Sequence, residues 1–254
     1  MSNLTIEDSL GAIYAFPESF WIKDVSWKIR SIARARAYAS GGRDTGDGFL
    51  DSRVITIEGA LRADSLAALE TAERLLKVAI IKAGKLRVSD DTVRRYITVK
   101  GAMIAESYLG DYRFEKPMTI TYLAEFPFWE DDTESPSTVT IGATPTDFTV
   151  DNSGSDFLVY PVITITANQA VPVPSVTLKN LSDGGMALIY NDPFFVVGDV
   201  VIIDSRAGTV RRNNNNTINY LTTPRFLRLQ AGVNNIRYEG ANCTIKFAWR
   251  KVYL

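Results

Sequence analysis

Carboxylates are the residue type from which this chain could build a catalytic pair. It has no histidine and one cysteine, Cys243. A Ser–His–Asp triad, a Cys–His dyad and any His-ligated metal site are therefore excluded. One cysteine also rules out an internal disulfide and a multi-cysteine zinc site. Cys243 falls in an alternating stretch, where it reads as a small core residue rather than a nucleophile. Glycoside hydrolysis needs only two acids and stays open in principle. The acids cluster in Glu130-Asp131-Asp132-Thr133-Glu134. Acid–base work needs carboxylates whose environments push their pKa values apart. Adjacent acids in a polar run read instead as solvated linker charge. Asp44, Asp47 and Asp51 share residues 41–51 with four glycines, but their spacing fails the alternate-position pattern of a calcium loop. The sequence also lacks a P-loop and a GxGxxG. No catalytic residue, metal site or cofactor is expected.

The remaining chemistry is recognition. Arg30, Arg34 and Arg36 form a basic row that invites a nucleic-acid reading. Charge argues against it. Residues 1–134 hold 18 Lys and Arg against 21 Asp and Glu, and residues 135–254 hold 10 against 8. Neither part has the excess of a nucleic-acid or membrane-surface binder, so the row reads as a solvated or subunit-facing strand surface. Tyr190, Phe194, Phe195 and Trp249 could stack on a sugar, which would make the second half a carbohydrate-binding module. The aromatics around Pro193 serve equally well as packing or subunit contacts. The N-terminus has Glu7 and Asp8 in place of a basic-then-apolar pattern, so no signal peptide is expected, and no apolar run has membrane-spanning length.

The elements that must position these residues follow from periodicity. Residues 54–58 alternate, with Ile55 and Ile57 on one face, and the pattern turns helical after Gly59. Asp64 or Ser65 can cap the helix, although Ala68 leaves the capping box incomplete. Leu66, Leu69, Ala72, Leu76 and Ala79 form its apolar stripe, and Gly84 is the expected stop. Almost everything else has period two, so this one helix must pack on a sheet. Strands are expected near 12–16, 25–29, 33–39, 85–88, 95–99, 102–108 and 118–126. Alternation at 33–39 favours strand over the helix that its alanines would allow. Residues 41–51 read as the tip of a long hairpin. The acidic, proline-ended run 130–136 marks a boundary, giving domains 1–134 and 135–254. Beyond it, strands are expected at 138–141, 161–166, 175–179, 186–190, 199–204, 209–212, 225–229, 234–238 and 244–249. Short strands with frequent turns predict a β-sandwich or jelly roll. The fold class is mainly β, with an α+β first part.

The order and spacing of several features resemble those of the siphophage distal tail protein family, also called Dit. The features are the strand and helix within 51–76, the strand ending at Pro127-Phe128-Trp129, and Asn152-x-Gly154. After them come Tyr160-Pro161-Val162-Ile163-Thr164-Ile165 and Gly198-Asp199-Val200-Val201-Ile202-Ile203-Asp204. Leu227-x-Leu229-x-x-Gly232-x-Asn234-x-Ile236 follows, and the chain ends on residues 245–254. The resemblance implies a tail-tube-like β-sandwich with one helix, then a galectin-like or carbohydrate-module-like β-sandwich. It implies a non-enzymatic virion protein at the distal end of a phage tail, made in the host cytoplasm. Six copies would form a ring joining the tail tube to the baseplate or tip, and would anchor host-adsorption proteins. Its partners would be other copies of itself, the tail tube protein, a hub or tip protein, and receptor-binding or side-fibre proteins. DNA would only pass through the lumen, and no membrane is involved. Such a ring is a closed set of heterologous contacts. Arg34, Arg36 and Tyr38, with Arg43, Asp44, Asp47 and Phe49 of the loop, are the candidate subunit contacts. Arg and Tyr are enriched at interfaces, and a Gly-rich tip can order on a neighbour. Tyr190, Phe194 and Phe195 are the candidate partner-facing or sugar-facing aromatics.

Overall fold

Period-two alternation governs the backbone of the computed structural model, which describes residues 3–29, 33–35, 42–44, 52–89, 94–106, 114–168, 175–223 and 225–254. Two units emerge, Met1–Trp129 and Glu130–Leu254. The strands of the first are β1 (Asn3–Asp8), β2 (Ile13–Ala15), β3 (Phe20–Ile29), β4 (Ala33–Ala35), β5 (Gly42–Asp44), β6 (Arg53–Arg62), β7 (Ala83–Ser89), β8 (Arg94–Thr98), β9 (Lys100–Glu106) and β10 (Glu115–Ala124). One helix, α1 (Leu66–Lys82), lies between β6 and β7. The antiparallel sheets run β2-β1-β7-β8 and β3-β6-β10-β9, with β4 and β5 paired separately. Ile55, Ile57 and Leu61 of β6 share a buried layer with Ile120 and Tyr122 of β10. Gly59 is required where β3 and β6 close, since a Cβ there would stand 2.6 Å from the Phe20 ring and the Trp21 carbonyl.

Helix α1 starts at Ser65, whose hydroxyl accepts from the Ala68 amide at 3.2 Å. Its buried residues are Leu69, Leu76 and Ile80. Leu66 is exposed and Ala72 and Ala79 are half-buried, so the stripe is rotated from the expected one and gains Ile80. Gly84 is no stop. The helix ends at Lys82 and runs without a loop into β7, where Gly84 lies against the backbone of Asp8 and Ser9. On the sheet side, Glu73 and Glu106 share Lys77 and Lys116. Lys77 Nζ stands 2.5 Å from Glu73, and Lys116 Nζ stands 2.8 Å from Glu73 and 2.6 Å from Glu106. This ring of alternating charge ties α1 to β9 and β10.

Strand β1 is not expected from the sequence, where Glu7 and Asp8 read as a charged terminus. Both are buried. Asp8 takes the amides of Leu10 and Ala12, each at 2.9 Å, and closes the turn into β2. Glu7 accepts from Lys85 Nζ at 3.0 Å and pairs with Arg87, both on β7. Burial raises the Glu7 carboxyl, but the hydrogen bonds and charges of Arg87 and Lys85 outweigh burial and hold it below its ordinary value.

The second unit contains β11 (Trp129–Asp131), which begins at the last residue of the first, then β12 (Ser135–Ile141), β13 (Thr146–Asn152), β14 (Val162–Ala167), β15 (Val176–Asn180), β16 (Met186–Tyr190), β17 (Val200–Asp204), β18 (Thr209–Arg212), β19 (Asn215–Asn216), β20 (Gly232–Gly240), β21 (Cys243–Trp249) and β22 (Val252–Tyr253). Two antiparallel sheets, β12-β21-β14-β17-β18-β19 and β13-β20-β15-β16, form a sandwich. Alternate residues face inward: Ile163 and Ile165, Ile245 and Phe247, Val201 and Ile203 from one sheet, and Val176, Leu178, Ile236 and Tyr238 from the other. Phe148 meets Phe247 across the core, with ring centroids 6.0 Å apart. Cys243 is a buried core residue, and burial pushes its thiol up to about 11.

The acidic run is not a solvated linker. Glu130 is buried and holds Arg206 at 2.6 Å. The Asp131 amide donates to the Lys251 carbonyl at 2.9 Å, and Arg250 donates to the Asp131 and Asp132 carbonyls. Ser135 and Pro136 already lie in β12, opposite Trp249 and Ala248. These acids read as linker because their partners lie far along the chain.

Two outcomes are expected. Residues 130–254 alone should unfold cooperatively in urea. A fragment starting at Ser137 should unfold at lower urea, because it lacks the Glu130–Arg206 pair and two β12 rungs. Absence of a cooperative transition in the longer fragment would refute independent folding. Second, the Glu7 clamp should stabilise the protein above the unfolded carboxyl's value of 4.5 and lose that effect as pH falls through the lower folded value. Glu7→Gln should therefore be less stable than wild type at neutral pH, with the gap closing below about pH 4.5. Urea midpoints over a pH series measure it, and a gap independent of pH would contradict it.

Candidate functional site

The candidate subunit contacts divide. Arg34 of β4 lies opposite Arg43 of β5, and Ala33 lies opposite Asp44. Residues 42–44, expected in the loop, are thus a strand. Arg36, Tyr38, Asp47 and Phe49 fall outside the described residues.

The candidate aromatics also divide. Tyr190 and Phe195 are core residues, 1% and 0% exposed, and Trp249 is buried, so none of the three faces a sugar or a partner. Phe194 alone points outward, at 62% exposure. Asp192 explains the split. It is fully buried, accepts the Tyr190 hydroxyl at 2.7 Å and the Phe194 amide at 2.9 Å, and faces Arg212 at 3.4 Å. Burial, followed by the Asp192 bond and charge, raises the Tyr190 hydroxyl above its ordinary value. Fixing the turn this way sends Phe195 into the core and leaves Phe194 outside, its ring 6.0 Å from the Arg212 guanidinium. Val196 and Val197 extend the exposed apolar surface. No group of acids, cysteines or histidines suited to a metal occurs among the described residues.

The motif residues after position 152 form a structural clasp. Residues 225–229, expected as a strand, have no ladder beyond the single bridge of Leu229 with Val159. Leu227 and Leu229 are fully buried all the same. Side-chain amides supply what the missing strand partner does not. Asn234 accepts the Gln230 amide at 2.7 Å and donates to the Gln230 and Gly232 carbonyls at 2.9 and 3.0 Å. Asn180 donates to the Arg228 carbonyl at 2.8 Å and to Asn234 Oδ1 at 2.9 Å. Asn152 donates to the Gln230 carbonyl at 3.1 Å. Asp183 accepts from the Arg228 guanidinium and from the Gln230 side-chain amide, each at 2.6 Å. Gly232 has a φ of +92°, the left-handed conformation that favours glycine, and this bend brings Gln230 back onto Asn234. Periodicity cannot reveal such a segment, although the spacing of Gly232 and Asn234 does mark it.

Asn234→Leu keeps the branched shape but orphans the Gln230 backbone amide and one Asn180 donor. Each unsatisfied buried group costs about 1–3 kcal/mol, so the loss should be about 2–6 kcal/mol in urea denaturation. A loss below about 0.5 kcal/mol, the range of surface changes, would remove the clasp from the account.

Residues 154–253 match the family described as siphovirus-type tail component, C-terminal domain. No curated protein sequence matches the chain. Among solved structures, the Dit protein of phage SPP1, described as a paradigm of the hub adsorption apparatus in Gram-positive-infecting phages, is similar over 99% of both chains, with a TM-score of 0.66 and 16% identity. Two structures of the phage p2 baseplate in its activated conformation, with calcium and with strontium, each contain a chain similar over 99% of this one and 98% of theirs, with a TM-score of 0.47 and 10% identity. In the sequence of its second unit and in the fold of its whole length, the chain resembles the siphophage distal tail, or Dit, proteins.

Proposed function

We propose that this is a structural protein of a phage tail. Six copies form a ring through the first unit, join the tail tube to the baseplate or tip, and carry host-adsorption proteins on the second unit. The observation that carries this reading is the likeness to SPP1 Dit, which spans both units and not one sandwich alone. The match over residues 154–253 adds to it from sequence. The function is assembly rather than catalysis, with other copies of the chain, the tube protein, a hub protein and receptor-binding or side-fibre proteins as partners. Its place is the distal end of the tail in the virion. Arg34, Arg43 and Asp44 on the β4–β5 pair, with Arg36, Tyr38, Asp47 and Phe49, would meet the neighbouring copy. Phe194 with Val196 and Val197 would meet a partner protein, since the buried Asp192 holds that apolar surface outward in advance of binding. The burial of Tyr190, Phe195 and Trp249 takes most of the stacking surface from the sugar-binding alternative.

Native mass spectrometry and light scattering over rising concentration, with and without the adjoining hub protein, test the ring. The expected result is a species of six copies. A monomer under every condition would overturn it.

A further inference from the structure

A strand at the edge of a sheet offers its unpaired backbone N–H and C=O groups to other chains, and natural proteins guard such edges with charge, shortness or a covering segment. The two sheets of the second unit have four edges, β12, β19, β13 and β16. Strand β19 has two residues. Strand β13 carries Asp147 and Asp151. Strand β16 is covered: the Ile189 carbonyl accepts the Thr222 amide at 2.9 Å, and the Asn191 amide just beyond the strand donates to the Tyr220 carbonyl at 2.8 Å. Strand β12 differs from all three. It is seven residues long and carries no charge, and among the described residues it pairs with β21 alone. Pro136 guards one end only.

The register shows which groups are open. The Asn168 amide donates to the Asn242 carbonyl. Bonding direction alternates along a strand, so Thr244, Lys246 and Ala248 of β21 also face β14, while Cys243, Ile245, Phe247 and Trp249 face β12. Their partners on β12 are Ile141, Val139, Ser137 and Ser135. The N–H and C=O of Thr138 and Thr140, and the C=O of Pro136, therefore point away from the sheet. Pro136 agrees, since proline on an edge strand turns its missing N–H to the open side. Groups in such a row are satisfied in register only by another extended backbone. The faces of β12 set the side chains of that backbone. Thr138 and Thr140 are exposed, and β-branched residues pair best across from them. Ser137 and Val139 are half-buried on the core side, which favours apolar residues opposite. A charge would find no counterpart on β12. A second β12 is not the occupant in a ring, because two identical edges pair antiparallel about a two-fold axis, whereas ring contacts are heterologous. We infer that the open edge of β12 takes an extended, uncharged, β-branched segment of one of the ring's partner proteins as an added strand. The choice of a different protein rests on the ring reading, and the open edge stands without it.

The probe is a blocked heptapeptide of alternating threonine and valine, N-methylated at every valine so that one edge alone can pair. It is added to the full-length chain, and backbone amide exchange is followed by NMR. The Thr138 and Thr140 amides should slow about tenfold once the peptide is in excess, because exchange then requires its release. The amides of β13 should not change, and a peptide N-methylated at every residue should have no effect. Thr138→Pro removes an outward donor and no bond to β21, so the peptide concentration for half the effect at Thr140 should rise about fivefold. No slowing at Thr138 and Thr140, equal slowing by the fully methylated peptide, or equal slowing of β13 would each overturn the site. Slowing of the same two amides by rising protein concentration without peptide would make a second copy the occupant and overturn the choice of a different protein. Failure of the ring in the mass measurement, with the peptide effect intact, would overturn the ring reading alone.

Discussion

The second unit depends on one side-chain amide. Asn234 holds an irregular stretch in place that buries Leu227 and Leu229 beneath the sandwich. Without a ladder, backbone groups in a buried segment have no regular partners, and burial without partners is unfavourable. An asparagine suits this task because it offers a donor and an acceptor on one short, rigid group. Asn180 and Asn152, reaching in from β15 and β13, repeat the solution at neighbouring carbonyls. The sheet β13-β20-β15-β16 is therefore joined to its covering segment by amides from three of its strands. Apolar packing alone could slide, whereas this arrangement fixes the segment to the residue.

The first unit solves a related problem with charge. Its helix meets the sheets through three large aliphatic side chains, and Leu75, Val78 and Ile81 remain on the outside. Packing this narrow does not by itself determine rotation about the helix axis. The alternating square of Glu73, Lys77, Glu106 and Lys116 removes that freedom, because each lysine faces two carboxylates in fixed directions.

The alternating strands were legible because one face of each is buried: residues 186–190 and 209–212 were expected at the bounds that β16 and β18 have. Strand β13 gave a weak signal, since Thr146-Asp147-Phe148-Thr149-Val150 places only two apolar residues on its buried face. Strand β1 was hidden by the charge of Glu7 and Asp8, whose partners are distant in sequence or formed by a turn. The stretch at 225–229 misled for the opposite reason: two buried leucines alternate without a ladder. Of the candidate site, Phe194 was legible as an aromatic near a turn, but the opposite orientations of Tyr190 and Phe195 were not. That outcome is set by Asp192, a buried acid that no periodicity marks.

The junction of α1 with β7 has a mechanical consequence. Lys82 ends the helix and Ala83 begins the strand, with no residue between them to act as slack. Side chains in a strand alternate with period two, so a slip of one residue would turn every one of them over. The angular phase of the helix and the register of the strand are therefore a single variable. Turning the helix about its axis strains the rungs that tie β7 to β1 and to β8.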